Sequence, residues 1–178
     1  MNRPTITLEK TKAIKEICKP LETYFDIGGF SYLKIYQDMS RIHLDYHPEW
    51  TNFFYDHIEK FTSNNNLTEL SAWEPGFSTL YSLEDPCASY ATEFDIGDGI
   101  VISNNLGNCT ELCFFDGKHS KKNANNIINN IELLQAFIHR FRDKAAELIA
   151  EEEKRPFLSQ IRAKLKQRDL LALTKKPN

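Results

Sequence analysis

Arg41-Ile42-His43-Leu44-Asp45-Tyr46-His47-Pro48-Glu49-Trp50 is the stretch whose reading decides the fold. Its first part alternates: Ile42, Leu44 and Tyr46 point one way, Arg41, His43 and Asp45 the other. That is the period of a strand with one buried face. Pro48 then changes the period, because its fixed φ and missing N–H suit the first turn of a helix. Trp50, Phe54 and Ile58 follow on one helical face. Upstream, Phe30 to Tyr36 is rich in β-branched and aromatic residues and predicts a strand. Only Asp38-Met39-Ser40 lies between the two strands, so they are predicted to pair as an antiparallel hairpin.

The pattern extends in both directions. Thr7 to Tyr24 carries Ile14, Ile17, Leu21 and Phe25 at helical steps, and Gly28-Gly29 is expected to end that helix. Ser63 to Thr68 is polar and Asn-rich and reads as a loop. Glu69 to Trp73 is a candidate third strand, closed by Glu74-Pro75-Gly76. Phe77 to Phe94 is ambiguous, with room for a short helix. Gly99 to Ile102 is the clearest buried strand, Asn104 to Asn108 a turn cluster, and Glu111 to Phe115 the returning strand. A long helix is expected over about Asn125 to Lys154, with a seam from Ile127 through Leu134, Ile138 and Phe141 to Leu148. Such a seam fits packing on a sheet or a helix–helix contact. Pro156 breaks it. The order of elements predicts an α/β (α+β) sandwich on an antiparallel sheet, rather than a βαβ fold.

Composition narrows the function. The chain has 178 residues and a net charge of −3, which argues against whole-surface attraction to nucleic acid or acidic membranes. No apolar run is long enough for a membrane span, and the charged N-terminal stretch lacks the apolar core of a signal peptide. Cys18, Cys87, Cys109 and Cys113 form no C-x-x-C pair, so reduced thiols in a cytoplasmic protein are expected. The histidines His43, His47, His57, His119 and His139 show no zinc spacing. Gly97-x-Gly99 is too short for a dinucleotide fingerprint and is expected to shape the entry into a strand. Cys109 and Cys113 suit small apolar packing better than nucleophilic work. No catalytic residue, metal or cofactor is expected. The 12 Phe, 7 Tyr and 2 Trp suit either a large core or a pocket walled by rings.

The segment Leu44 to Tyr55 resembles the autoinducer-binding domain of LuxR-type quorum-sensing regulators. In that family a strand ends in Tyr, a Trp follows on a helix, and another aromatic lies one turn beyond. Tyr46, Trp50 and Phe54 match that order. Trp73 lies near the family's third-strand Trp, and Glu93-Phe94-Asp95-Ile96-Gly97-Asp98-Gly99-Ile100 is similar to its segment entering the fourth strand. The resemblance covers roughly residues 5–155. It implies a five-stranded antiparallel sheet between helical layers, of PAS/GAF-like form, with a small amphiphilic signal held on one side. It further implies ligand contacts at Tyr46, Trp50, Phe54, Tyr55, Trp73 and Tyr90, and a homodimer through the 125–154 helix.

Two departures bear on those expectations. Where the family carries an Asp that accepts the ligand's amide N–H, this chain has Ser63. Asp85-Pro86 lies elsewhere, and Glu69 or Asp85 would have to supply the carboxylate. The family also carries a helix-turn-helix domain, for which residues 156–178 are too few. Residues 1–155 are therefore expected to be the sensor domain and 156–178 a basic extension or truncated linker. No DNA binding by this chain alone and no membrane contact are expected. The rival reading is an interaction module of the same fold, its pocket filled by its own side chains, that pairs with a regulator or another protein.

Overall fold

In the computed structural model, which describes residues 8–37, 40–56, 78–81, 91–120, 127 and 129–154, the chain opens on α1 (Leu8–Phe25). Ile14, Cys18 and Leu21 are its buried apolar positions, one turn apart on one face. The helix stops earlier than Gly28-Gly29. Asp26 takes a left-handed φ of 56°, a conformation that Asp and Asn tolerate better than most residues. Ile27 already begins β1 (Ile27–Tyr36), so both glycines lie inside a strand.

β2 (Arg41–Asp45) returns antiparallel to β1, with Leu44 opposite Tyr32 and Ile42 opposite Lys34. Pro48 opens α2 (Pro48–Asp56) as its chemistry suggests. The candidate strand Glu69 to Trp73 lies outside the described residues. The ambiguous stretch Phe77 to Phe94 holds a strand rather than only a helix: β3 (Ser78–Tyr81), then a single 3-10 turn at Thr92–Phe94. β4 (Ile96–Asn105) and β5 (Cys109–Lys118) form the second hairpin, each longer than its apolar core suggests. The sheet runs β2-β1-β5-β4, fully antiparallel, and the short β3 extends it beyond β4. The mixed α/β class with an antiparallel sheet is the one the sequence predicts.

The long helix differs most from expectation. α3 spans Ile131–Lys144 and ends at Ala145, and residues 146–154 are helical beyond that break. The chain divides there into two compact units, Met1–Ala145 and Ala146–Asn178. Part of the seam is already buried, whereas Ile131 and Leu148 are half-buried. Ile127, Leu134, Ile138, Phe141 and Ala145 are all buried within the first unit.

The sheet's two faces are chemically distinct. On one, Phe30 meets Phe115, Phe137 and Phe141 with ring centroids 5.1, 5.3 and 4.7 Å apart. These tilted and edge-on pairs each add about 0.5–1.5 kcal/mol beyond the area they bury. The same face carries a carboxylate. Glu111 is 1% exposed, accepts the Tyr32 hydroxyl at 2.5 Å, and is clasped by the forked guanidinium of Arg142 from α3. On the other face, Leu33, Ile35, Val101 and Leu112 form an apolar cluster against which Phe114 packs.

Arg142 is the counter-charge for a carboxylate that burial has stripped of water. Arg142→Met is expected to lower stability by about 3 kcal/mol in urea titration, the low end for breaking such a pair, because its side chain stays 26% exposed. Combining it with Glu111→Gln should cost clearly less than the two single losses added. Strict additivity would mean that the pair is not coupled.

Candidate functional site

The site is built on the sheet face that carries Leu33, Ile35, Val101 and Leu112. α1 and α3 take the opposite face, as the Phe30–Phe141 contact and the bond between Tyr46 and Glu22 require. Strand alternation places Ser31 and Asp45 at one end of the apolar cluster, paired across β1 and β2.

Asp45 is the polar centre of this end and is 6% exposed. Its Oδ2 accepts the Ser31 hydroxyl at 2.7 Å and lies 3.2 Å from His43 Nε2. Its Oδ1 accepts the His47 backbone N–H at 2.5 Å. The Thr51 hydroxyl, in the first turns of α2, donates to the His47 carbonyl at 3.3 Å and lies close enough to the carboxylate to favour its charged form. Burial pushes this carboxyl up, but the His43 bond and charge, the Thr51 hydroxyl and the His47 N–H outweigh burial. The net effect holds it below the usual carboxylate range. A carboxylate offers roughly four lone-pair sites, and Ser31, His43 and the His47 N–H reach three of them, with the Thr51 hydroxyl beside them. His47 closes the end of the face: its Nε2 lies 2.7 Å from the Gly28 carbonyl. A side chain at Gly29 would meet the Asp116 carboxylate at 2.6 Å and the His47 ring at 3.1 Å.

The aromatic wall comes from α2 and the turn before β4. Trp50 stacks on Phe53 with centroids 6.1 Å apart, and Phe94 meets the two rings at 5.6 and 5.7 Å. All three side chains are half-buried. Tyr46 leads elsewhere. Its hydroxyl donates to Glu22 of α1 at 3.3 Å, and Lys15 Nζ sits 5.4 Å from its ring centroid. Burial, with help from the Glu22 charge, pushes the Tyr46 phenol up to about 12. Of the sequence-derived contacts, Trp50 thus stands in a ring cluster with Phe53 and Phe94, whereas Tyr46 is engaged with α1. Phe54 and Tyr55 lie on α2. Trp73 and Tyr90 lie outside the described residues, as do Ser63, Glu69 and Asp85.

Sequence reasoning missed Asp45 and Phe53 as site residues. The signal for Asp45 was present: it closes a strand two residues before a helix-opening His47-Pro48. That is where a short side-chain acceptor meets the unpaired N–H groups of a helix start. Other chemistry is quiet. Cys18, Cys109 and Cys113 are buried free thiols. Burial pushes the Cys18 and Cys113 thiols up, so neither is poised as a thiolate. Among the described residues, no group of His, Cys, Asp and Glu could hold a metal ion, and no helix is long and apolar enough to cross a membrane.

Because folding lowers the Asp45 pKa, the unfolded chain binds the extra proton in acid. The carboxylate's contribution is full above the unfolded value, about 3.9, and fades as pH falls through the folded value. Urea midpoints measured across the acid range should therefore drop below about pH 4, and Asp45→Asn should flatten that limb. An unchanged acid limb in the variant would place the lost protons on other groups.

No family model matches the chain, and no curated protein matches it. Solved structures do. One is CepR2 from Burkholderia cenocepacia, an N-acylhomoserine-lactone-dependent LuxR-family transcription factor. It matches over 80% of this chain and 99% of its own, at 10% identity and a TM-score of 0.52. Another is SdiA in complex with octanoyl-rac-glycerol, over 81% of this chain and 61% of its own, at 11% identity and a TM-score of 0.55. At such identities the likeness concerns architecture, and the chain has the fold of these LuxR-type regulator structures.

Proposed function

We propose that this chain is a non-catalytic sensing domain that takes a small amphiphilic signal against the apolar sheet face. The carrying observation is the division of labour between the faces. α1 and α3 occupy one, whereas the other presents Leu33, Ile35, Val101 and Leu112. At its end stand the Trp50, Phe53 and Phe94 rings. Apolar walls with a few fixed polar groups are the usual make-up of small-molecule sites. The fold likeness to a lactone-dependent regulator and to SdiA holding octanoyl glycerol supports the same reading. The second layer of helices and the contacts at Phe54, Tyr55, Trp73 and Tyr90 belong to this proposal, as do residues 156–178 acting as an extension. A homodimer through residues 125–154 also belongs to this proposal, with the burial of Leu134, Ile138 and Phe141 leaving Ile131 and Leu148 as the half-buried seam positions.

The head group follows from Asp45. Its oxygens are already engaged by Ser31, His43 and the His47 N–H, and it is buried, so it is poorly placed to serve a ligand amide. A buried N–H left without an acceptor costs about 1–3 kcal/mol. The preferred signal therefore has an apolar tail and a neutral, oxygen-rich head that accepts hydrogen bonds, such as an ester or hydroxyketone.

Octanoyl glycerol and octanoyl-homoserine lactone, compared by calorimetry and thermal melting, test this. The glycerol ester should raise the melting temperature, as any ligand of the native state must. The lactone should bind about ten- to a hundredfold more weakly. Submicromolar binding of any acyl-homoserine lactone would show that another acceptor had replaced the missing Asp. Trp50→Phe should weaken glycerol-ester binding by about tenfold through loss of the indole N–H. If neither compound, nor lactones of other chain length, shifts the melt, the site is filled by its own side chains and the interaction-module reading holds.

A further inference from the structure

The Asp45 cluster joins three elements at one carboxylate. Ser31 comes from β1, His43 from β2, and His47 and Thr51 from the start of α2. Thr51 is 1% exposed, so the turn that follows Trp50 is held against the carboxylate in a site closed to water. Trp50 precedes Thr51 in the same turn, so the rotation of α2 about its axis, and with it the direction of the Trp50 and Phe53 rings, is set where Asp45 holds the His47 N–H and the buried Thr51 hydroxyl bonds the His47 carbonyl. α2 is nine residues long, too short to hold its shape by propensity. Its start is doubly anchored: the carboxylate takes the His47 N–H, and its charge faces the helix N-terminus.

We infer that Asp45 is a positioning residue for the proposed signal site: its carboxylate latches the Trp50-bearing helix to the sheet, and neutralising it frees that helix while the α3 side of the fold stands. This rests on reading α2 as one wall of that site. The groups around the carboxylate are Ser31 from β1, His43 from β2, His47 just before α2 and Thr51 within it, and the Cys18 thiol of α1 feels its charge from the other side of the sheet. Burial and the nearby Asp45 charge keep the Cys18 thiol protonated, so it does not titrate in the acid range. The latch is thus independent of the Glu111–Arg142 clasp, which holds α3 on the opposite face.

Hydrogen–deuterium exchange on the full chain without ligand tests the latch. Peptides covering 48–56 and 131–144 are compared in wild type and Asp45→Asn. In the variant, exchange over 48–56 should rise about tenfold and that over 131–144 less than about twofold. After correction for intrinsic rates, acidification from about pH 4 to about pH 2 should loosen 48–56 in wild type, and the variant should show no such additional loosening of that segment relative to 131–144. Equal acceleration of both segments, or of neither, overturns the latch. If Asp45→Asn does not fold, Thr51→Val and Ser31→Ala each remove one donor, and a local rise over 48–56 is again required. Octanoyl glycerol provides the second arm. If it binds wild type, its affinity should fall in each variant that loosens 48–56, and an unchanged affinity there overturns the positioning role. A wild-type chain that shows the latch but binds no probe overturns the proposed signal site and leaves the latch standing.

Discussion

The Asp45 and Glu111 carboxylates are both buried, and both are held by neighbouring residues of one strand. Ser31 donates to Asp45 on one face of the sheet; Tyr32 donates to Glu111 on the other. Alternation along β1 makes this possible, since successive side chains point to opposite faces. Neither charge is tolerable alone, because a buried carboxylate without partners would protonate or unfold its surroundings. Each has recruited a cationic or ring-nitrogen partner and a hydroxyl. The helices follow from these choices. α3 is clasped through Arg142, and α2 through Thr51 and the His47 N–H. β1 therefore decides the placement of helices on both sides, and β2 and β5 flank it.

Much of this was legible in the sequence. The alternation of Ile42 and Leu44 against His43 and Asp45 gives the strand and its inward face, and Pro48 gives the helix start, because both signals are local. The end of α1 was read to within one residue, at Tyr24 against Phe25, but its cause was misassigned. Gly28-Gly29 is the stronger stop signal by composition, yet Asp26 adopts the left-handed turn and the glycines serve the strand. The helix after β5 was read as continuous because hydrophobic steps carry no mark of a break at Ala145. At the site, Trp50 could be read from its spacing. The direction of Tyr46 could not, since it depends on Glu22 and Lys15 arriving from α1. Asp45 was hidden by its own alternation. It shares a parity with Arg41 and His43, which reads as a solvent face until the second layer is known.

The chain shows that one architecture can be specified by very different sequences. At 10 to 11% identity with the two regulators, what persists is an antiparallel sheet with helices. Backbone pairing and apolar alternation tolerate extensive exchange of side chains if volume and pattern are kept. Polar anchors do not exchange one at a time, because removing a single partner strands a buried charge.

The strand order also sets how the molecule can assemble during folding. The β1–β2 and β4–β5 hairpins are each local, closed by short turns. Joining them is not: Tyr32 and Glu111 are separated by 79 positions along the chain. Loop-closure entropy must be overcome before the β1–β5 ladder returns any contact energy, so this encounter is the slow step for a sheet of this topology. The Tyr32–Glu111–Arg142 cluster forms only once that encounter has occurred. It brings together residues from both hairpins and from α3, and so marks the point at which separate pieces of chain become one nucleus.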